Sequence, residues 1–380
     1  MDSESYLNAE QKVKKARKYV ENLHINTGGS GNDDADLVSK RLKQDVLETK
    51  GKLGKVLTND FHGVEVIKVI RKHKAAVTST IISKDSLFLY SACKEGLVIE
   101  YNMNSGEQVS KISLNTSCMC LALSSDGKCL AAGTSKGELV IMDTQCLKIT
   151  KSFSAHRGAV NGLSFRVDSH QLFSVGSDKL LKVWEPDHGG FIEVLCGHTE
   201  AITCISCLSR ERPLTAGGKD ASLRIWKFVE ESQLVYNISS PGVCIDCCAY
   251  IDDSHFLSGS TDGSLCVWTV NNKSPIYTVK NAHGSLGASS WIASLATCPY
   301  SDIACSGAAD GFARLWRIDG SQNFKKLIQM SAIPIPGSIN AMSFSHDGKL
   351  LVIGVGREHK FGRWSVIKKA KNAVFIIRLS

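Results

Sequence analysis

His156, Ser174 and Asp178 place an imidazole, a hydroxyl and a carboxylate in one stretch of chain, the three groups of a nucleophilic hydrolase. The same types return at His198 and Asp220, at Ser258 and Asp262, and at Asp310, and each acid stands six residues before a tryptophan: Trp184, Trp226, Trp268 and Trp316. A catalytic set occurs once. Groups that recur at fixed spacing are better explained as satisfied hydrogen-bond partners in a buried, repeated turn. The sequence also lacks a GxSxG elbow, a GxxxxGK[ST] loop and an HExxH helix, so no enzyme is expected.

Thiols and cations offer two further chemistries. Of the 14 cysteines, Cys118, Cys120, Cys204, Cys207, Cys244, Cys247 and Cys248 fall in the apolar runs CMCLAL, TCISCL and VCIDCCAY, where Cys acts as a small buried hydrophobe. Cys204 and Cys207 would point to opposite faces of a strand, so no metal and no cofactor is expected, and a reducing compartment is favoured. The cations offer phosphate contact, with a solvated helix face or a nuclear import signal as the other readings of the first cluster. Lys12, Lys14, Lys15, Arg17 and Lys18 crowd one early segment, and GVGREHKFGRW near the end carries Arg357, His359, Lys360 and Arg363. The net charge of +8 is compatible with a polyanionic partner without demanding one.

The elements that must position these groups are set by a repeat. Large residues end similar apolar runs at Tyr101, Met142, Trp184, Trp226, Trp268, Trp316 and Trp364, with steps of 41 to 48 residues, and each unit reads as four short strands separated by Gly, Asp, Ser and His turns. That period is the WD40 blade. The expected fold is therefore all-β, a seven-bladed propeller over residues 61–380, preceded by a short helical leader over residues 1–60. Val64–Ile70 and Ala373–Arg378 are both candidates to close the ring. No run of 18 apolar residues is present, and no membrane association is expected.

The helical leader YLNAEQKVKKARKYVENL, the segment EESQLVY, the HG…WIASL segment, GVGREHKFGRW and the terminal KNAVFIIRLS together resemble the WD40-repeat family of the U3 small nucleolar ribonucleoprotein, across almost the whole chain. The resemblance implies a non-catalytic scaffold that binds the U3 box C/D snoRNA beside the kink-turn-binding core protein. It further implies a monomeric propeller within the small-subunit processome, located in the nucleus and nucleolus and serving pre-ribosomal RNA processing. Members carry a longer charged amino-terminal extension with an import signal, whereas this sequence starts almost at the leader. A general WD40 adaptor that binds peptides at the propeller rim is the alternative.

In GVGREHKFGRW, Glu358 lies six residues before Trp364, as Asp178 does before Trp184. Read at unchanged register, Glu358 is the structural acid of the last blade, Trp364 its rung, and Arg363 a charge facing a neighbouring blade that needs a partner. Arg357, His359 and Lys360 then lie at a rim turn, with two roles open: an RNA or partner surface, or an ion-pair cluster locking the seventh blade to the first. Trp291 either stacks on a base or plugs the blade edge, with plugging favoured.

Overall fold

The computed structural model describes residues 55–380 apart from 59–60, 188–189, 239–241, 285–289, 320–325 and 364–365. The leader, with Lys12, Lys14, Lys15, Arg17 and Lys18, lies outside the described residues, as does Trp364. Lys55–Ser380 is one compact unit, so residues 55–58 belong with the ring: Leu57 packs in the core and Thr58 donates through its hydroxyl to Asp302.

Seven four-stranded antiparallel sheets make the propeller. Their innermost strands are Val77–Ile82, Cys118–Leu123, Val160–Phe165, Cys204–Ser206, Ile245–Tyr250, Ser294–Thr297 and Ser338–Phe344. Each touches the next and the last returns to the first, so the ring is closed. These strands read as near-continuous apolar runs because both of their faces are covered, whereas outer strands such as Lys148–Ser154 are largely exposed. The core is a set of layers between blades. In one, Leu214, Leu223 and Ile225 of the fourth blade meet Ile245, Tyr250 and Phe256 of the fifth. Close approach there demands glycine: a Cβ on Gly307 would fall 2.4 Å from Ile339 of the next blade.

A belt of side-chain donors runs around the innermost strands. Thr78 donates to the Cys118 carbonyl, Asn161 to Ile202, Thr203 to Ile245, Ser294 to Ile339 and Asn340 to Val77, at 2.7–2.9 Å. The thiols of Cys120 and Cys247 complete it with weaker contacts to the Val160 and Ile292 carbonyls, each at 3.4 Å. Every blade thus passes one hydrogen bond to its successor. Two of the cysteines read as plain hydrophobes are donors in this belt.

Both candidate closing strands are used. Ala373–Leu379 is the third strand of the last sheet, and Val64–Ile70 pairs with it as the outermost, Val64 opposite Leu379 and Ile70 opposite Val374. This corrects the reading of the last repeat. Register aligns Trp184, two residues past the partner of Ser174, with Ile377, two past the partner of Ile353. Ile377 is fully buried and is the seventh rung, not Trp364. Residues 357–372 are an insertion between the second and third strands, where the third blade has only residues 177–179. The spacing from Glu358 to Trp364 imitates the repeat without sharing its register.

Candidate nucleic-acid interface

The recurrent His, Ser, Asp and Trp residues form hydrogen-bond chains. In the third blade Trp184 Nε1 donates to Ser174 Oγ at 2.8 Å, Ser174 is 2.7 Å from His156 Nε2, and His156 Nδ1 is 2.8 Å from Asp178. Burial, opposed by Asp178, lowers the His156 pKa, so the neutral ring donates from Nδ1 to the carboxylate and accepts the Ser174 proton at Nε2. Ser174 has no exposed surface, and an attacking hydroxyl needs a substrate beside it. The chain recurs with Trp226, Thr215, His198 and Asp220, and with Trp316, Ser306, His283 and Asp310. The fifth blade keeps only the bond from Trp268 to Ser258, with Asp262 bonded to Ser260 and Ser264. The second blade replaces the histidine, hydroxyl and tryptophan by Leu114, Ala132 and Met142, buried in one apolar cluster, and has the exposed Lys136 at the acid position.

These chains also orient the ring. His156 precedes an innermost strand and Asp178 sits between the second and third strands, so both connections lie at one end. The insertion is at that end too.

Its residues divide sharply. Glu358 pairs with Lys94 of the first blade at 2.9 Å and with Arg363 at 3.1 Å. Burial raises its pKa, but those two cations outweigh burial and hold the carboxyl below the usual range. Asn340 clamps the turn, donating to the Glu358 carbonyl and accepting from the Lys360 amide. Glu358 is therefore an interblade tie and bonds no histidine, contrary to its reading as the structural acid. His359 is buried, 4.3 Å from the Trp291 ring and 5.6 Å from Phe361, and burial, then Lys360 and Lys94, push it down to about 3. It is neutral and sealed, so it is not a cationic rim contact. Trp291 is occupied by this stack.

Lys360 is half-buried beside this stack, its ammonium 5.0 Å from the Phe361 ring. Its charge acts on Cys120, Cys204, Cys247 and Asp246, which stand on the innermost strands of the second, fourth and fifth blades. Asp246 is buried there, and burial, opposed by Trp291 and Lys360, pushes its carboxyl up to about 6.

Other cations at this end are exposed. Arg363, expected to face a neighbouring blade, is instead 81% exposed, because no third strand runs through it. Arg357 is exposed as well, its amide held by Asn372, which in turn donates to the Lys74 carbonyl. That link joins two basic runs from opposite ends of the sequence: Arg71, Lys72 and Lys74 before the first blade, and Lys368, Lys369 and Lys371 near the end of the insertion, all exposed. Glu95 is the exposed acid on the adjacent first-blade turn. Neither RKHK nor KKAK is a long enough cluster to mark a site in sequence. Ring closure brings them onto one predominantly basic surface, suited to phosphate.

Comparison with known proteins agrees with this architecture. The family model described as "WD domain, G-beta repeat" matches residues 189–227, 232–269 and 274–317, each running from the outer strand of one blade to the tryptophan of the next. The model "Cytochrome D1 heme domain" matches residues 46–171. The human U3 small nucleolar RNA-interacting protein 2 is 35% identical over 97% of this chain and 82% of its own length. Ribosomal RNA-processing protein 9 of Saccharomyces cerevisiae is 24% identical over 97% of this chain and 83% of its own length. A solved structure titled "Structure of U3-55K" superposes with a TM-score of 0.80 at 36% identity, covering 83% of this chain and 98% of that one. A seven-bladed ring and this extent of identity place the chain in the family of WD40-repeat proteins of the U3 small nucleolar ribonucleoprotein.

Proposed function

We propose that the protein is a non-catalytic scaffold of the U3 box C/D particle, binding the snoRNA beside the kink-turn-binding core protein and other small-subunit processome proteins in nucleolar pre-ribosomal RNA processing. The observation that carries this reading is the merging of Arg71, Lys72, Lys74, Lys368, Lys369 and Lys371 around the exposed Arg357. Backbone contacts of this kind position an RNA, while the rigid ring holds the cations at fixed spacing. The relatives' names support the RNA and the process. The burial of the hydroxyls in the recurrent chains supports a scaffold over a hydrolase.

The test replaces Arg357, Lys369 and Lys371 together by Ala and measures affinity for the box C/D RNA, with the kink-turn protein present, across a salt series. Each lost phosphate contact reduces the slope of log K against log salt by about 0.7–0.9. A reduced slope with an unchanged melting temperature supports the reading, and unchanged affinity and slope overturn it. Crosslinking in cells then identifies the RNA, where recovery of peptides or unrelated RNA alone favours a general adaptor.

A further inference from the structure

At the opposite end of the ring, where the first and second strands of each blade are joined, a thiol, an imidazole and a carboxylate meet across the boundary of the second and third blades. Cys129 opens the strand Cys129–Thr134, His170 lies in the turn before Leu172–Gly176, and Asp187 follows Leu180–Glu185. One ligand atom from each lies within 4.8 Å of the others.

We propose that Cys129, His170 and Asp187 form a binding site for a zinc-class divalent cation that ties the second blade to the third. The donor set favours this class. Thiolate and imidazole suit Zn2+ over Mg2+ or Ca2+, which take oxygen. His170 is already oriented: its Nδ1 faces Asp187 at 2.8 Å, and its Nε2 faces Asp126 at 3.4 Å. A carboxylate on the far nitrogen is the usual support of a metal-bound imidazole. A plain ion pair between His170 and its two acids explains those distances but leaves Cys129 without a part in the cluster. The field also suits a cation. Asp143 lines the same cleft as Cys129 and Asp187, and Asp126 stands on the far side of His170, so acids surround the position. A divalent ion there offsets that negative field, and the thiol proton is released as the sulfur–metal bond forms.

Access and geometry are compatible with this. Cys129 and Asp187 line an open cleft of about 420 Å³ that also includes Asp143, Lys128 and Lys151. Bonds of about 2.0–2.3 Å around a tetrahedral ion set its ligands about 3.3–3.8 Å apart, so His170 and Asp187 need to open from 2.8 Å and any wider pair to close, each by the order of 1 Å or less, within reach of side-chain rotation. Three protein ligands leave a fourth position for water.

Cobalt(II) titration of the reduced, metal-stripped full chain tests the site, because tetrahedral thiolate coordination gives visible ligand-field bands and a sulfur-to-metal charge-transfer band. One equivalent should produce both, Zn2+ should displace it, and excess Mg2+ should not. Cys129→Ser should lose the charge-transfer band, and Asp126→Asn should weaken binding 10–100-fold while keeping the band. Added Zn2+ should raise the melting temperature of the parent chain but not of Cys129→Ser. Absence of stoichiometric binding, or a charge-transfer band that survives in Cys129→Ser, overturns the proposal.

Discussion

At Asp246 the ring keeps a carboxylic acid where ionisation is costly. It is 6% exposed beside Trp291 and Lys360, with its pKa raised to about 6. A raised carboxyl pKa means that between about pH 4 and 6 the folded state holds a proton the unfolded chain has lost, so this group's contribution to stability falls as pH rises through that window. Asp246→Asn should therefore be more stable than the parent at pH 7 by about 2–3 kcal/mol, with the difference vanishing below pH 4; chemical denaturation across pH measures it. The recurrent chains make a second residue-scale prediction. Ser174→Ala leaves Trp184 Nε1 and His156 Nε2 buried without their partner, at a cost of about 2–4 kcal/mol. The second blade shows how nature removes such a chain, by exchanging its members for Leu114, Ala132 and Met142 and the acid for the exposed Lys136. Copying it, with His156→Leu, Ser174→Ala, Asp178→Lys and Trp184→Met combined, should cost less than the sum of the four single changes, since removing all partners strands none.

At the scale of elements, the last blade is built differently from its neighbours. Its third strand arrives only at Ala373, with 16 residues separating it from Gly356, which closes the second. Asn340 carries the arrangement, bonding Val77 across the blade boundary as well as Glu358 and Lys360 of the insertion. Asn340→Ala breaks the belt where the seventh blade meets the first and releases the turn. It should cost about 2–4 kcal/mol, against less than 1 kcal/mol for Arg363→Ala, whose guanidinium is 81% exposed and whose loss leaves Glu358 paired with Lys94; thermal melts of the two variants decide. Of the two roles left open for this segment, the interblade contacts belong to residues other than the exposed cations. Glu358, Lys94 and His359 hold the blades together, and Arg357 and Arg363 face solvent.

The molecule as a whole is held by its closure. Val64–Ile70, from the start of the ring, completes the sheet whose other strands come from the end of the chain, and the Gly63 amide donates to the Ser380 carbonyl at 2.7 Å. A chain beginning after Ile70 would leave Ala373–Leu379 as a bare edge with Val374, Ile376 and Ile377 exposed to other chains. It should aggregate or melt well below the parent, with light scattering and calorimetry as the readout; equal stability would show that the outer strand contributes nothing. Sequence by itself determined the repeat, the strand count per blade, the recurring turn residues and the family, because these follow from local alternation, turn chemistry and a period of about 42 residues. It misplaced the seventh rung, since Trp364 stands at repeat spacing while the strand that pairs is 61 residues beyond Trp316, at Ile377. Only hydrogen-bond register distinguishes the two. Tertiary structure alone decided that His359 is sealed, that Glu358 ties to Lys94 of the first blade, and that RKHK and KKAK are neighbours. Burial and closure are properties of contacts between residues nearly 300 positions apart, such as Asn372 and Lys74, which no local pattern encodes.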